Sequence, residues 1–440
     1  MEREFAFYEK AIDSQNYREL FLRILCILTA IVLLARDIFG FDIPKFIFIG
    51  LALILALISN IDHMFMYTSF IIPIATGLPY SYIFMVFLIV LVIKKPEWIF
   101  NIKMMPLLLI IFVIEPLSIF YGVFAITEYI GMLSVLIVIF SFIYNYSDES
   151  GFTRSCQLYL AGFILASVVV VFKTISSASV SNLLAYGIRL GDVKNIASVE
   201  GIAVNFDPNT LAVFSAIALA VSIILLKNSL SHRWSYLFVM IFSVIIGIAT
   251  MSRTFILLGA IILIYIIITT YKSIKGFIYI LAILCVLLFL FFMLNKLYPS
   301  IISNMAQRFT SSDISNGRIQ IFMSYAKAII NDPAKYILGL GIQKYQIKSG
   351  LYVSCHNGIQ EIFVIWGLIG SILVAIMFTN VFRRIKRVSS GNSNKVKYLP
   401  IIILITGVQL IQFFSQYILI MVLLVTFSAA MIYKQHGDQS

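Results

Sequence analysis

Apolar residues run along this chain in blocks of roughly 20, broken by short polar stretches, rather than recurring as one face of a soluble helix or strand. Fourteen blocks read as helical spans: 20–36, 43–59, 64–77, 79–93, 104–121, 124–144, 155–173, 207–227, 234–251, 254–271, 276–296, 356–382, 398–414 and 417–433. Two neighbouring pairs leave an alternative open. The run 64–93 carries Pro73, Gly77 and Pro79 at its middle, and 398–433 is interrupted only by Gln409, Gln412, Ser415 and Gln416. Merging both pairs gives twelve spans. Two longer polar segments stand out, 174–206 and 297–355. In the first, Asp207-Pro208-Asn209 at its end is a helix start, with Asp207 as cap and Pro208 where a missing N–H costs nothing. In the second, Ile319, Phe322, Met323, Ala326, Ile329 and Ile330 share one face of a helix over 318–330, capped by Ser315 or Asn316 and stopped by Asn331-Asp332-Pro333. Gly339-Leu340-Gly341 then makes a tight connection.

The composition agrees with a bilayer as solvent. Of 440 residues, 61% are hydrophobic and 12% charged, against about 25% charged in soluble domains. The fold class is an all-α polytopic membrane protein of about 12–14 transmembrane helices, with a large outer loop containing a short amphipathic helix. The formal charge of +12 is explained by Lys and Arg flanking the spans, so no nucleic-acid partner is expected. With fourteen spans and the N-terminus inside, Lys94, Lys95, Lys103, Lys227, Arg233, Lys272, Lys275 and the Arg383–Lys397 cluster all face the cytoplasm. Both long polar segments then lie outside. The first span lacks a small-residue cleavage site and reads as a retained anchor.

Chemistry is sought on the outer side. Arg189, Arg253, Arg308 and Arg318 lie there against the charge bias. A guanidinium binds phosphate oxygens through two parallel hydrogen bonds, so a pyrophosphate clamp is the functional reading; interfacial snorkelling, or pairing with Asp192 or Asp313, is the plain one. His356 opens a helix just after the longest outer loop. The helix dipole and nearby arginines both favour the neutral imidazole, the form that accepts a proton. Simple packing is the alternative. Asn357 is placed to orient a sugar, and Glu361 follows a little over one turn later. Glu115, in Ile114-Glu115-Pro116, is expected to line a polar cavity, with proton coupling in a transporter as the rival. The four cysteines show no paired spacing, and Cys355 reads as a small packed residue. P-loop, HExxH and GxSxG motifs are absent, and Asp37 and Asp42 do not make a paired-acid motif. No cofactor and no metal are expected.

The ordered set Arg189, Asp207-Pro208-Asn209, Ser252-Arg253, Gly317-Arg318, Leu338-Gly339-Leu340-Gly341 and His356-Asn357 before Trp366-Gly367-Leu368-Ile369-Gly370 resembles the O-antigen ligase and O-antigen polymerase superfamily. The resemblance covers roughly 180–380. It implies a GT-C-like fold and an inverting, metal-independent glycosyltransferase of the bacterial inner membrane, working on its periplasmic or outer face. The implied donor is an undecaprenyl-pyrophosphate-linked oligosaccharide, with a flippase and a chain-length regulator as further partners. It also implies that His356 is catalytic and that loop arginines contact the pyrophosphate. Polymerisation of repeat units into O-antigen or capsule is the leading reading. Ligation to lipid A-core is the near alternative, and a lipid-linked oligosaccharide flippase is the alternative of another class.

Overall fold

In the computed structural model, residues 2–121, 125–177, 190, 207–228, 232–270, 317–388, 398–411 and 417–432 are described, with scattered positions between 285 and 306. Among the described residues there is no strand, and helices account for nearly all regular structure. They are α1 (Glu2–Asp37), α2 (Phe46–Ile58), α3 (Ile61–Ile71), α4 (Tyr80–Lys94), α5 (Ile126–Asn145), α6 (Glu149–Ser177), α7 (Pro208–Asn228), α8 (Arg233–Ala249) and α9 (Arg253–Thr270). After the long loop come α10 (Arg318–Ile330), α11 (Pro333–Leu338), α12 (Gly358–Val388), α13 (Leu399–Val408) and α14 (Tyr417–Met431). Among the described residues five helices are long and apolar enough to cross a membrane: Ile102–Phe120, α5, α6, α7 and α12. Shorter apolar helices include α2, α4, α8, α9 and α13. The chain is an all-α, polytopic membrane protein.

Both ambiguous pairs resolve into separate helices. After α3 a 3-10 turn over Ile72–Gly77 carries Pro73, and α4 starts only beyond Pro79. Proline fixes φ and offers no N–H, so a continuous helix is disfavoured there. Likewise α13 ends at Val408 and α14 begins at Tyr417. The span expected at 276–296 lies mostly outside the described residues.

Helix α7 is the axis of the bundle. It packs on α6, α8, α9, α13 and α14. Ala212, Ser215, Ala216, Ala218, Ala220 and Ser222 are all buried along it. Small side chains let neighbouring backbones approach closely where lipid gives no hydrophobic push between helices. Hydroxyls pay no desolvation penalty when bonded back to their own turn: Ser215 Oγ donates to Leu211 O at 2.8 Å, and Ser243 Oγ to Val239 O at 2.7 Å. Leu57, Ile93 and Phe112 remain exposed, as a lipid-facing surface requires.

Polar side chains tie neighbouring helix ends together. Arg154, near the start of α6, pairs with Glu19 of α1. Gln157 Nε2 donates to Tyr236 OH at the start of α8 (2.8 Å). Arg384, late in α12, donates to the carbonyls of Ile143 and Tyr146. At the other end Arg36 donates to Gly77 O (2.7 Å) and pairs with Asp37 (2.9 Å). The far ends of α8 and the start of α9 form the candidate site.

The Ile102–Phe120 span is irregular. It passes from a 3-10 turn through α-helix into a π turn at Ile110–Ile114, then Glu115-Pro116. Helix α12 is broken as well, at Gly367 (φ 60°, ψ −161°). These two irregular helices meet, and the junction positions the site.

Candidate functional site

Three caps assemble one end of the bundle. Asp207 Oδ1 accepts from Asn209 N at 2.8 Å and starts α7, with Pro208 first in the helix, as the sequence indicated. Ser252 Oγ accepts from Thr254 N (3.2 Å) to start α9 and donates to Asn209 Oδ1 (2.7 Å), tying the two helix starts together. Leu190 N donates to Ala249 O at 3.0 Å, which fastens this residue beside the turn. Asn357 Oδ1 accepts from Ile359 N (3.0 Å) and Gln360 N (2.9 Å), capping α12.

His356 therefore stands one residue outside the first turn of α12, exposed. Arg318, the first residue of α10, is half-buried and donates to Leu410 O at 3.0 Å. Asn357 Nδ2 donates to Gln409 O (3.3 Å). Both acceptors lie just beyond the C-terminal end of α13, the partly negative end of the helix, which suits a cation. Partial burial and then the Arg318 charge hold the His356 imidazole below its ordinary pKa, with Asp207 opposing. Burial and the like charge of Arg253 lower Arg318, again opposed by Asp207. Arg318 thus lies within electrostatic reach of His356, Arg253 and Asp207, and Asp207 within reach of His356, although they come from four stretches of chain. The arrangement favours the neutral, proton-accepting imidazole beside the Arg318 guanidinium, with Arg253 within reach of Arg318. That combination serves an anionic group next to a hydroxyl to be deprotonated.

The helix 318–330 has the expected bounds. Its cap differs: the N-cap is Gly317 (φ 75°), which makes no side-chain cap bond. Asp332 does more than stop this helix, since its side chain accepts from Ala334 N and Lys335 N to start α11. Arg189, Arg308, Ser315 and Asn316 lie outside the described residues.

Glu115 and Glu361 depart from the sequence reading. Glu115 is fully buried. Its Oε1 accepts from Ile342 N at 2.7 Å and its Oε2 from Trp366 Nε1 at 2.8 Å. Both oxygens are committed to the protein, so this carboxylate does not line an open cavity. Glu361 is also fully buried, on the side of Tyr325, Tyr345 and Cys355, and does not join His356. Glu361 comes five residues after His356, about 140° further round a helix of 3.6 residues per turn, so it falls on a different face.

Several further groups hold the loop in place. Leu340 N donates to Val364 O (2.9 Å) and Gly341 N to Ile365 O (2.7 Å), seating the Gly339–Gly341 connection on the broken part of α12. Only glycine fits there. At Gly339 (φ 77°) a Cβ would sit 2.2 Å from Ile365 O, and at Gly367 (φ 60°) one would sit 2.5 Å from Ile337 O. Gln343 exchanges two bonds with the backbone of Ala125 (2.7 and 2.9 Å). Lys348 Nζ donates to Leu340 O (3.0 Å), and burial lowers its pKa against the pull of Glu115. At the loop's far end Cys355 N donates to Tyr345 OH (2.9 Å), Tyr325 OH to Val353 O, and Gln360 Nε2 to Phe322 O (2.7 Å). Cys355 is packed and buried, as expected, and burial pushes its thiol up to about 12.

A cleft of about 690 Å³ opens between α10 and α12. Asn357 and Gln360 stand at its polar edge, and Phe322, Ile329, Phe363 and Phe378 form its apolar wall.

No curated protein matches the chain. Residues 238–375 match the family model described as O-antigen ligase. The matched stretch runs from α8 through α9 and the loop into α12, so it contains Arg253, Arg318, Glu361 and His356. By that match the chain resembles the O-antigen ligase and polymerase superfamily, whose type of activity is glycan transfer at a membrane.

Proposed function

We propose that this protein is an inverting, metal-independent membrane glycosyltransferase that polymerises undecaprenyl-pyrophosphate-linked oligosaccharide repeats into O-antigen or capsule. The observation that carries the reading is Arg318, within electrostatic reach of both His356 and Arg253 at one end of the bundle, beside a cleft of about 690 Å³ with apolar walls. In this scheme the acceptor hydroxyl attacks the anomeric carbon of the donor sugar. His356 takes the hydroxyl proton, the bond from the anomeric carbon to the pyrophosphate oxygen breaks, and its electron pair leaves with the pyrophosphate. Arg318 and Arg253 hold the leaving group where its charge grows. Pyrophosphate leaves readily, so base and cations are the main requirements. The active end faces the periplasmic or outer side of the bacterial inner membrane, with a flippase and a chain-length regulator as partners. Glu115 and Glu361 have no part in this scheme beyond holding the loop.

Ligation of finished glycan to lipid A-core is the second reading, favoured by the description of the matched family. Deleting the gene and running the surface glycan on a gel separates the two. A single-repeat ladder is expected for the polymerase; unattached full-length polymer overturns it in favour of the ligase, and loss of all exported repeats points to a flippase. His356→Ala should abolish complementation while the protein stays in the membrane, with turnover down about 10²–10⁴-fold. Near wild-type turnover would make His356 structural.

A further inference from the structure

The opposite end of the bundle holds a cleft that glycan transfer does not use. Its volume is about 450 Å³, and Arg18, Ser59, Asp62, Lys94, Lys95 and Trp98 line it. It lies where α1 starts its apolar stretch, α2 ends, α3 begins and α4 ends. Arg154 and Gln157 fix the direction. Arg154 pairs with Glu19 next to this cleft, and Gln157 bonds the start of α8, whose other end carries Ser252 and the candidate site.

Three cations face one carboxylate in the lining, so the cleft is basic. Lys94 Nζ donates to Ala56 O (2.9 Å) and Ser59 O (3.2 Å) at the end of α2. An ammonium has three donors, so one remains after those two. Lys95 is exposed and 3.5 Å from Glu97, a surface pair worth little. Ser59 is the decisive residue. It is 3% exposed and lines the cleft, and its Oγ has no hydrogen-bond partner. A buried hydroxyl without a partner is unusual and calls for one. Beside these groups Leu57 and Ile58 are 65% and 60% exposed, as residues against acyl chains would be. Trp98 is half-buried at the rim, the usual place of an indole at a membrane–water boundary.

We propose that this cleft binds the phosphodiester headgroup of an anionic phospholipid from the leaflet at that end. Ser59 Oγ donates to a phosphate oxygen, Arg18, Lys94 and Lys95 supply the charge, and the acyl chains run along Leu57 and Ile58. Basic pockets between helices at a membrane face recognise headgroups in this way. A free phosphate would meet the same donors but leave the apolar flank unused.

The test uses the purified full-length protein in detergent, titrated with phosphatidylglycerol, phosphatidylethanolamine or inorganic phosphate. Melting temperature and native mass spectrometry are the two readouts. Phosphatidylglycerol should raise the melting temperature and stay bound in the spectrometer, while the zwitterionic lipid does neither. Ser59→Ala removes an unpartnered hydroxyl, so it should melt no lower than wild type without lipid, yet bind phosphatidylglycerol about tenfold more weakly. Arg18→Gln should weaken it about fivefold. A shift by inorganic phosphate that depends on Ser59 and Arg18 overturns the lipid assignment in favour of a soluble anion. Equal lipid binding by wild type and both variants overturns the site.

Discussion

The link between Glu115 and Trp366 joins residues 251 positions apart. Trp366→Phe removes the indole N–H that reaches Glu115 Oε2 at 2.8 Å, taking one donor from a carboxylate in a fully buried place. A hydrogen bond to a charged acceptor is worth about 1.5–3 kcal/mol, and stranding a buried polar atom costs a similar amount. The lost volume of the indole adds a small cavity term, so about 2–4 kcal/mol of destabilisation is expected. Glu115→Gln keeps one acceptor oxygen for Ile342 N or Trp366 Nε1 but turns an NH2 toward the other donor. It should cost about 1.5–3 kcal/mol. The two substitutions break the same bond. The double variant should therefore be less destabilised than the sum of the singles, with a coupling of at least about 1 kcal/mol. The assay is unfolding of the purified protein in detergent for wild type, both singles and the double. Additive losses would refute the clamp and leave Trp366 as packing alone.

Three further outcomes follow from the site and its support. The rate of glycan transfer should fall as pH drops through a His356 pKa below the usual histidine value, because the proton-accepting form is lost; Arg318→Gln removes a charge that lowers this pKa, so the acid limb of the pH–rate profile should move to higher pH. An unmoved limb would separate the two residues. Arg318→Lys should bind the donor worse than wild type in a direct binding measurement, because a point charge does not reproduce the planar fork. Gly339→Ala must hold a positive φ and place a Cβ 2.2 Å from Ile365 O, a combination worth about 2–5 kcal/mol and visible as reduced membrane abundance or a lower melting temperature.

Much of the fold was legible in the chain because bilayer solvation writes itself into continuous apolar runs. The bounds of α10 came from one face of six apolar residues, and the α7 start from Asp207-Pro208. The breaks at Pro73–Pro79 and Gln409–Gln416 carried a signal too, though whether they divide helices depended on what packs there. Of the candidate site, His356 and Arg318 stand out in the sequence by position and charge, and the structure puts Arg318 within electrostatic reach of His356 and of Arg253. Glu115 was not legible. A lone carboxylate in an apolar run announces that it needs a partner but not which one, and Trp366 is too far along the chain to suggest itself. Asn357 also caps α12, its oxygen accepting from Ile359 N and Gln360 N, a role that its place before an apolar helix signals as well. Gln343 and Tyr345 act only through groups distant in sequence, so no local pattern identifies them.

The break at Gly367 decides how the outer segment can be exchanged. In a continuous helix the carbonyls of Val364 and Ile365 would serve residues 368 and 369; here they accept from Leu340 and Gly341. The half-helix 358–366 is therefore stitched to the chain that precedes it as well as to the helix that follows. The stretch from Gly339 to Trp366 forms a cassette closed on itself, with its seam inside the bundle. A chimaera that grafts the loop of a relative onto this scaffold with junctions at 342 and 357 keeps the seam and should retain its register. One cut between Gly341 and Val364 that replaces only a single side of the seam separates donors from acceptors and loses it.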